Sequence, residues 1–484
     1  MRPESLVLKN TAFLAFGHLL WVALSVALLL LSARILGVED FGNYSFAFSF
    51  VFLFSILSEF GFERIAVREL ARFRRKSAQI LGNLLALKLL LALFSLALLA
   101  VLCVLLGFGG AVFSATLLLG IYVAFNSISM VPKYAFRAFE RMHFEALSNV
   151  FSKGLTLALG AFALLSGFGL SGLCMSFALS GLAACVFSFA LLFHFLKIRP
   201  MPLFDFAFWK KTLADGIPSA LASFFLVSGG RASAVLLSFM QSSFAVGIYG
   251  AAFKIFEGVE SLPFLLSLPA YPLLSRAFSK KSGKGLSKAF NNSFRLLILF
   301  PLPFAIAASM LSLPLIQLLY GSQYAVSAPV LAILSWSFFL SFASASGINL
   351  LFAAGRQKTA AIVSGIGFAA LVALNIALIP SMSFEGASIS MLFSSLLVFA
   401  LSLFESQKIS RLSSLSFIPK AALAGALMAL TIFLLSFAGF FERLAAGFAV
   451  YFALIFVFRA FGGNGLGDLK TFSARLFTRG AVKD

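Results

Sequence analysis

Two cations lie deep inside long apolar segments, where charged side chains are rare. Arg231 falls within the segment 212–240 and Lys254 within 244–274. A charge at the centre of a membrane helix costs about 2.5–3.5 kcal/mol even on the lenient insertion scale, so each should face a cavity or a partner. Arginine stays charged and forks onto phosphate oxygens, and the adjacent Gly229-Gly230 would loosen the helix and allow close approach. Arg231 is therefore predicted to bind an anionic head group, with a structural ion pair as the alternative.

The second cation has carboxylates one and two turns further along its own segment. Lys254, Glu257 and Glu260 follow one another at intervals of three residues. An internal Lys254–Glu257 pair would neutralise itself. The alternative is a cavity-lining cation beside a carboxylate able to bind H⁺ or Na⁺. Both interpretations stay open from the sequence.

Other charges fall near the ends of apolar segments. Arg34 is predicted at the outer end of the first span and Arg64 at the inner end of the second, where they would receive a phosphate at opposite ends of its path. Ordinary interfacial charge is the alternative, and it is favoured for Arg64. Glu59 would pair with Arg64 or regulate access. Lys88 and Lys153 are predicted to extend toward the inner face.

The amino-acid composition shows which class of protein contains these residues. Of 484 residues, 61% are apolar and 11% are Asp, Glu, Lys or Arg, against about a quarter charged in soluble domains. A water-soluble fold is therefore excluded, and the chain is predicted to be an all-α multi-pass membrane protein. The three cysteines and three histidines are scattered without metal-ligand spacing, so neither zinc sites nor structural disulfides are expected.

The distribution of cations predicts the topology. About fourteen spans are expected, each of about 20 residues, and the excess of 37 Lys and Arg over 17 Asp and Glu follows the positive-inside rule rather than indicating nucleic acid. With both termini cytoplasmic, nearly all cations fall on the inner side, and the first apolar run is a retained span. The segment 64–75, in which Arg64, Arg68, Arg72 and Arg75 would share one face of a helix, is predicted to be an amphipathic helix on the inner leaflet. The predicted spans are 11–33, 41–61, 80–106, 112–131, 144–166, 170–196, 212–240, 244–274, 290–318, 326–354, 358–380, 384–405, 417–438 and 441–460.

An internal repeat predicts two lobes. Gly42-x-Tyr44-x-x-Ala47 opens the second span and Gly247-x-Tyr249-x-x-Ala252 opens the eighth. The offset of 205 residues also aligns Lys153 with Lys358. Six spans separate the partners, so the halves share one orientation, an arrangement that places the substrate path of transporters between two lobes. The predicted domains are an N-lobe at 1–200, a C-lobe at 201–406, and two further helices with a cytoplasmic amphipathic tail at 407–484.

Several motifs resemble those of one family. Residues 34–44 (RILGVEDFGNY) resemble the R-x-L-G-x-x-x-[FY]-G-x-Y signature of Wzx-like polysaccharide flippases, in the multidrug/oligosaccharidyl-lipid/polysaccharide exporter (MOP) superfamily. Residues 58–62 (SEFGF) and 67–72 (VRELAR) are similar to its next element. Its second-half motifs are matched by 247–254 (GIYGAAFK), 355–357 (GRQ) and 374–380 (LNIALIP).

This resemblance implies a MATE-like, two-lobed fold of fourteen helices. It also implies a flippase that moves a polyprenyl-pyrophosphate-linked glycan across the cytoplasmic membrane by alternating access, alongside other polysaccharide-assembly membrane proteins. One departure limits the comparison. Family members often carry an acidic residue just before the Arg231 position, where this chain has Gly229 and Gly230, so an ion-coupling role cannot be transferred.

Other functions are weighed against this one. An ion-coupled drug or cation antiporter of the same superfamily needs a buried carboxylate. Glu257 keeps that alternative open, whereas Arg231 and Lys254 argue against it. A glycan polymerase or ligase would need a large outer loop bearing acid, base or histidine groups, and the predicted outer loops are short and contain no histidine. The chain is therefore predicted not to be an enzyme and to use no cofactor, and a non-transporting scaffold is a further alternative.

Overall fold

The computed structural model describes residues 3–59, 62–257, 270–279, 283–412, 415–458 and 460. Every regular element in these ranges is a helix, which confirms the predicted all-α class. Ten of the helices are long and apolar enough to cross a membrane. The chain is therefore a multi-pass membrane protein.

The α-helices follow the predicted spans closely. Single short turns of 3₁₀- or π-helix occur at Arg74–Lys76, Leu192–Leu196 and Ser322–Tyr324. The α-helices are α1 Pro3–Glu59, α2 Phe62–Arg72, α3 Ser77–Leu105, α4 Gly110–Ala138, α5 Met142–Leu165, α6 Gly169–Leu191, α7 Phe206–Val227, α8 Gly229–Met240, α9 Ser243–Glu257, α10 Ala270–Ser279, α11 Gly283–Leu299, α12 Pro301–Met310, α13 Ser312–Tyr320, α14 Ser327–Ala353, α15 Gln357–Gln407, α16 Phe417–Leu434 and α17 Phe440–Val457.

Two of the long helices contain a break that divides them into two spans. In α1 the break is at Gly37, with φ 75° and ψ 178°, a conformation that is essentially restricted to glycine. In α15 the break is at Ser383. With these breaks, the ten membrane-crossing helices accommodate twelve of the predicted spans. The seventh and eighth spans fall on α7–α10, where 258–269 lie outside the described residues, so the count of fourteen stays a prediction.

The chain divides into two compact units, Met1–Gly247 and Ile248–Asp484. The predicted lobe boundaries at 200/201 and 406/407 stay a prediction, and most of the predicted tail lies outside the described residues. In the first unit α1, α4, α5 and α6 pack against one another. Gly160 lies against Leu28, and Gly181 against Tyr122. Small residues of this kind let membrane helices approach closely.

The second unit contains α9 from Ile248 onward and α10 to α17. Here α14 packs along α15 and α16 along α17. Gly347 lies against the backbone of Ser402, and Tyr451 Oη donates a hydrogen bond of 2.8 Å to Leu299 O. A buried hydroxyl that reaches a backbone carbonyl satisfies a polar group that lipid could not.

The amphipathic helix α2 differs from its predicted role. Its apolar side, made by Phe62, Ala66 and Leu70, is buried in a core with Tyr134 and Trp209. That side therefore packs on protein and does not enter the inner leaflet as predicted. The reason is that hydrophobic periodicity identifies an apolar face but not the surface that covers it.

Candidate functional site

A break between α7 and α8 positions Arg231. Helix α7 ends at Val227 and α8 begins at Gly229, so the interruption is at Ser228, and the Gly229-Gly230 pair predicted to loosen the helix forms the first two residues of α8. The last carbonyls of a helix lack the amide partners of its interior. The Arg231 side chain uses one of them, because its Nη1 donates a 2.6 Å hydrogen bond to Val227 O.

Arg231 is buried and lies over an aromatic ring of α1. Its relative exposure is 6%, and its Cζ is 3.7 Å from the centroid of Phe52. A guanidinium over an aromatic face gains about 2 kcal/mol when desolvated, which offsets part of the burial cost. The arginine is thus fixed in the interior of the first unit.

The predictions for Lys88 and Lys153 are wrong, because neither side chain extends to the inner face. Lys88 is fully buried, and its Nζ lies 3.0 Å from Ser127 Oγ. Lys153 lies near the middle of α5, about 17 Å from either end at 1.5 Å per residue. Its ammonium lies 5.2 Å from the ring centroid of Trp21. Both lysines lie at least 11 residues from the ends of their helices.

The interior of the first unit is dominated by positive charge. Within the described ranges, the buried charged residues all belong to this unit: Lys88, Lys133, Arg231 and Glu145. Lys133 follows the end of the predicted fourth span, 112–131, but it lies in the last third of α4. Three buried cations therefore accompany one buried carboxylate.

The one buried carboxylate of that set is neutralised by an arginine. Arg137 bonds to Glu145 through Nε–Oε2 at 2.8 Å and Nη2–Oε1 at 2.5 Å. Arg137 also pairs with Glu63 of α2. This two-pronged geometry is the strong form of an arginine–carboxylate pair, so Glu145 is not available to a transported cation. In the sequence, only the spacing of eight residues between Arg137 and Glu145 could have indicated this pair.

The second unit contains the predicted Lys254–Glu257 pair. Lys254 Nζ lies 2.5 Å from Glu257 Oε2, and both side chains are largely buried. The self-neutralising pair is thus present. Whether either residue lines a cavity or binds an ion stays a prediction, and Glu260 lies outside the described residues.

The remaining predicted site residues are Arg34, Glu59 and Arg64. Arg34 is exposed, three residues before the Gly37 break. Glu59 is the last residue of α1, and Arg64 lies in the first turn of α2. The side chains of Glu59 and Arg64 are outside the described residues. The roles predicted for these three residues stay predictions.

The glycines of the sequence repeat pack against backbone. A Cβ on Gly42 would lie 1.9 Å from Ser243 O, and one on Gly247 would lie 2.1 Å from Val38 O. Beside them, Ser243 Oγ donates a 2.7 Å hydrogen bond to Asn43 Oδ1. The repeat motif therefore specifies a close approach of α1 and the start of α9, which any larger residue would prevent.

We expect Gly42→Ala to destabilise the protein by about 1–3 kcal/mol, because an overpacked contact with backbone has no flexible side chain to move. Thermal unfolding in detergent measures the effect. Gly154→Ala is the matched control, since a Cβ on Gly154 meets nothing within 4 Å. It should be neutral or stabilise the helix by up to about 1 kcal/mol. Equal midpoints for the Gly42 variant and the wild type would contradict the observed packing.

Comparison with known proteins identifies the class to which this fold and interior belong. The family model described as polysaccharide biosynthesis protein matches residues 7–278. The chain belongs to that family. A second family model, MatE, matches residues 218–378. The predicted membership of the MOP superfamily is confirmed.

Solved structures show the same fold. The lipid II flippase MurJ, in an inward closed conformation, has a TM-score of 0.74 with 93% of this chain and 98% of its own covered. An inward-facing multidrug resistance MATE transporter has a TM-score of 0.65, with 82% and 96% covered. A MOP superfamily transporter from Pyrococcus furiosus, described as having a binding pocket of reverse polarity, has a TM-score of 0.57, with 84% and 98% covered. Each is 16% identical to this chain, so the likeness shows the fold.

A curated relative is less informative. An uncharacterized membrane protein of Methanocaldococcus jannaschii is 27% identical over 166 residues, which are 34% of this chain and 32% of that protein. The chain thus matches about a third of the length of that relative. The matched family and structures are transporters and flippases rather than enzymes, and the chain is a membrane transporter of this superfamily.

Proposed function

We propose that the protein translocates a polyprenyl-pyrophosphate-linked oligosaccharide from the inner to the outer leaflet of the cell membrane by alternating access. The observation that carries this proposal is the excess of buried cations in the first unit. An unpaired anion in hydrocarbon costs tens of kcal/mol by Born solvation. A pyrophosphate therefore needs fixed positive groups along its path while its polyprenyl tail stays in lipid.

Arg231 is the group best suited to the pyrophosphate. Its guanidinium is planar and permanently charged, and it binds phosphate oxygens through two parallel hydrogen bonds. Its stacking on Phe52 holds it in place. The likeness to a lipid II flippase supports a lipid-linked glycan as the substrate, and the family description supports a role in polysaccharide biosynthesis. Other assembly proteins of the same membrane are the proposed partners.

An ion-coupled antiporter for cationic drugs is the second candidate. The MatE match over 218–378 and the largely buried Glu257 favour it, since a carboxylate able to bind H⁺ or Na⁺ lies in that segment. Against it, Glu257 is paired with Lys254, and the buried carboxylate of the first unit is paired with Arg137. A transported cation would meet like charge there, which costs rather than gains energy.

Proteoliposomes that contain the purified protein separate these candidates. A fluorescent polyprenyl-pyrophosphate oligosaccharide reports movement between leaflets, and a rhodamine cation driven by a H⁺ or Na⁺ gradient reports antiport. We expect movement of the glycan without gradient-driven accumulation of the cation. Cation accumulation without glycan movement would establish the antiporter and overturn the proposed function.

A further inference from the structure

Lys153 is enclosed by aromatic rings from three helices. Its Nζ lies 5.2 Å from the ring centroid of Trp21 on α1, 5.8 Å from that of Tyr122 on α4 and 5.7 Å from that of Phe177 on α6. Tyr122 Oη is 3.5 Å from the ammonium. We call these three rings the aromatic cage. A cation surrounded by aromatic faces is attracted to each of them.

The Lys153 ammonium is surrounded by aromatic rings where the Lys254 ammonium has a carboxylate. In the part of the chain that the structure describes, Lys153 forms no ion pair with Asp or Glu, whereas Lys254 lies 2.5 Å from Glu257. Attraction to aromatic rings does not cancel the charge of a lysine as pairing with a carboxylate would. An incoming oxyanion can therefore pair with Lys153 directly, with no carboxylate to displace.

Tight packing holds one ring of the cage. A Cβ added to Gly181 of α6 would lie 2.9 Å from the ring of Tyr122, so α4 and α6 approach each other closely there. Lys153 and Trp21 are both partly exposed. The cage is therefore partly accessible from outside the protein.

An aromatic path leads from the cage toward Arg231. Phe177 contacts Phe48 of α1 at a centroid distance of 6.4 Å. Phe48 and Phe52 are one helical turn apart, so they lie on the same face of α1. Phe52 in turn lies beneath Arg231. The partly exposed rings of Phe48 and Phe52 thus link the aromatic cage of the half-buried Lys153 to the buried Arg231 within the first unit.

We propose that Lys153 in its aromatic cage is a second anion-binding group of the first unit, which pairs with a pyrophosphate oxygen of the lipid-linked head group. The identity of this anion rests on the proposed function. The binding of an oxyanion at the cage does not, because it follows from the charge and surroundings of Lys153 alone. On binding, the ammonium moves from the rings toward the anion.

Trp21 reports on this movement. The chain has three tryptophans, and Trp209 and Trp336 lie outside the cage, so ¹⁹F NMR of protein labelled with 5-fluorotryptophan gives a probe with two internal references. The Trp21 resonance is assigned with Trp21→Phe. Farnesyl pyrophosphate should shift that resonance saturably and leave the other two unchanged. Inorganic pyrophosphate, phosphatidylglycerol and glucuronate, tested alone, show whether the cage selects pyrophosphate, lipid phosphate or carboxylate.

Three variants separate binding from a structural role. Lys153→Met keeps the length of the side chain but should abolish the Trp21 shift and slow glycan translocation by about tenfold or more. Lys153→Arg should retain the shift. Lys358→Met is the control, since this exposed lysine aligns with Lys153 in the sequence repeat, and it should behave as the wild type.

The Trp21 resonance tests anion binding by Lys153 independently of the transport assay. A shift that persists in Lys153→Met, or a Trp21 resonance that no oxyanion moves, would overturn it. If the wild type translocates the glycan and Trp21 does not respond, the proposed function stands and only the second anion-binding group is lost. If Trp21 responds through Lys153 and the glycan does not move, the anion site stands and the proposed function falls.

Discussion

Arg231→Ala should lower the initial rate of lipid-linked glycan translocation by about 100-fold, or about 2.7 kcal/mol at 1.36 kcal/mol per tenfold. Removing the guanidinium leaves the pyrophosphate unpaired in the interior of the protein, and hydrogen bonds to charged groups are worth about 1.5–3 kcal/mol. Proteoliposomes with a fluorescent polyprenyl-pyrophosphate oligosaccharide measure the rate.

Arg231→Lys should retain an intermediate rate, with a loss of about tenfold. An ammonium keeps the charge but lacks the planar fork that binds two oxygens and stacks on Phe52. Arg276→Ala is the matched control, since Arg276 is exposed on α10, and its rate should equal that of the wild type. Wild-type rates for folded Arg231→Ala protein would remove Arg231 from the site.

Arg137→Met should be the most destabilising of the variants considered, with a loss of about 3–5 kcal/mol. The Glu145 side chain is 5% exposed and accepts both of its hydrogen bonds from Arg137. The substitution would leave a buried charge without its partner, and it would also release Glu63 of α2. Denaturant or thermal unfolding in detergent measures the change.

The double variant Arg137→Met/Glu145→Met should recover most of this stability, because it removes both buried charges together. Lys408→Met is the control for a pair near the surface. Lys408 lies 2.5 Å from Glu405, but its side chain is 48% exposed, and such pairs contribute about 0–1 kcal/mol. If Arg137→Met unfolded at the same midpoint as Lys408→Met, the pair with Glu145 would be unimportant for stability.

The sequence was sufficient for features that depend on local chemistry. Apolar runs of about 20 residues predict membrane helices, and the structure has them. The boundary predicted between the spans 11–33 and 41–61 contains Gly37, where α1 breaks. The Lys254–Glu257 pair follows from a spacing of three residues along one helix.

The sequence was insufficient where the partner comes from a distant segment. Lys88 and Ser127 are 39 residues apart, and the rings around Lys153 come from three other helices. The hydrophobic periodicity of α3 or α5 cannot show which side chains of other helices surround Lys88 or Lys153. Hydropathy also ended the predicted fourth span at 131, whereas α4 continues to Ala138, which brings Lys133 into the interior.

The wrong end of the fourth span has a physical cause. A cation near the end of an apolar run is assumed to reach water, but helix ends are set by hydrogen bonding and packing as well as by hydropathy. Where helices extend beyond the apolar run, the cation moves toward the middle of the bundle. The positive interior of the first unit therefore became apparent only when helix bounds and ring contacts were known.

The central claim is that fixed cations of the first unit bind the pyrophosphate of a lipid-linked glycan. The most direct measurement is an electron cryo-microscopy structure of the full chain in lipid nanodiscs with bound polyprenyl pyrophosphate. We expect the diphosphate density within hydrogen-bonding distance of the Arg231 guanidinium. Density for the diphosphate elsewhere, with Arg231 still bonded to Val227 O and stacked on Phe52 as in the free protein, would contradict this claim.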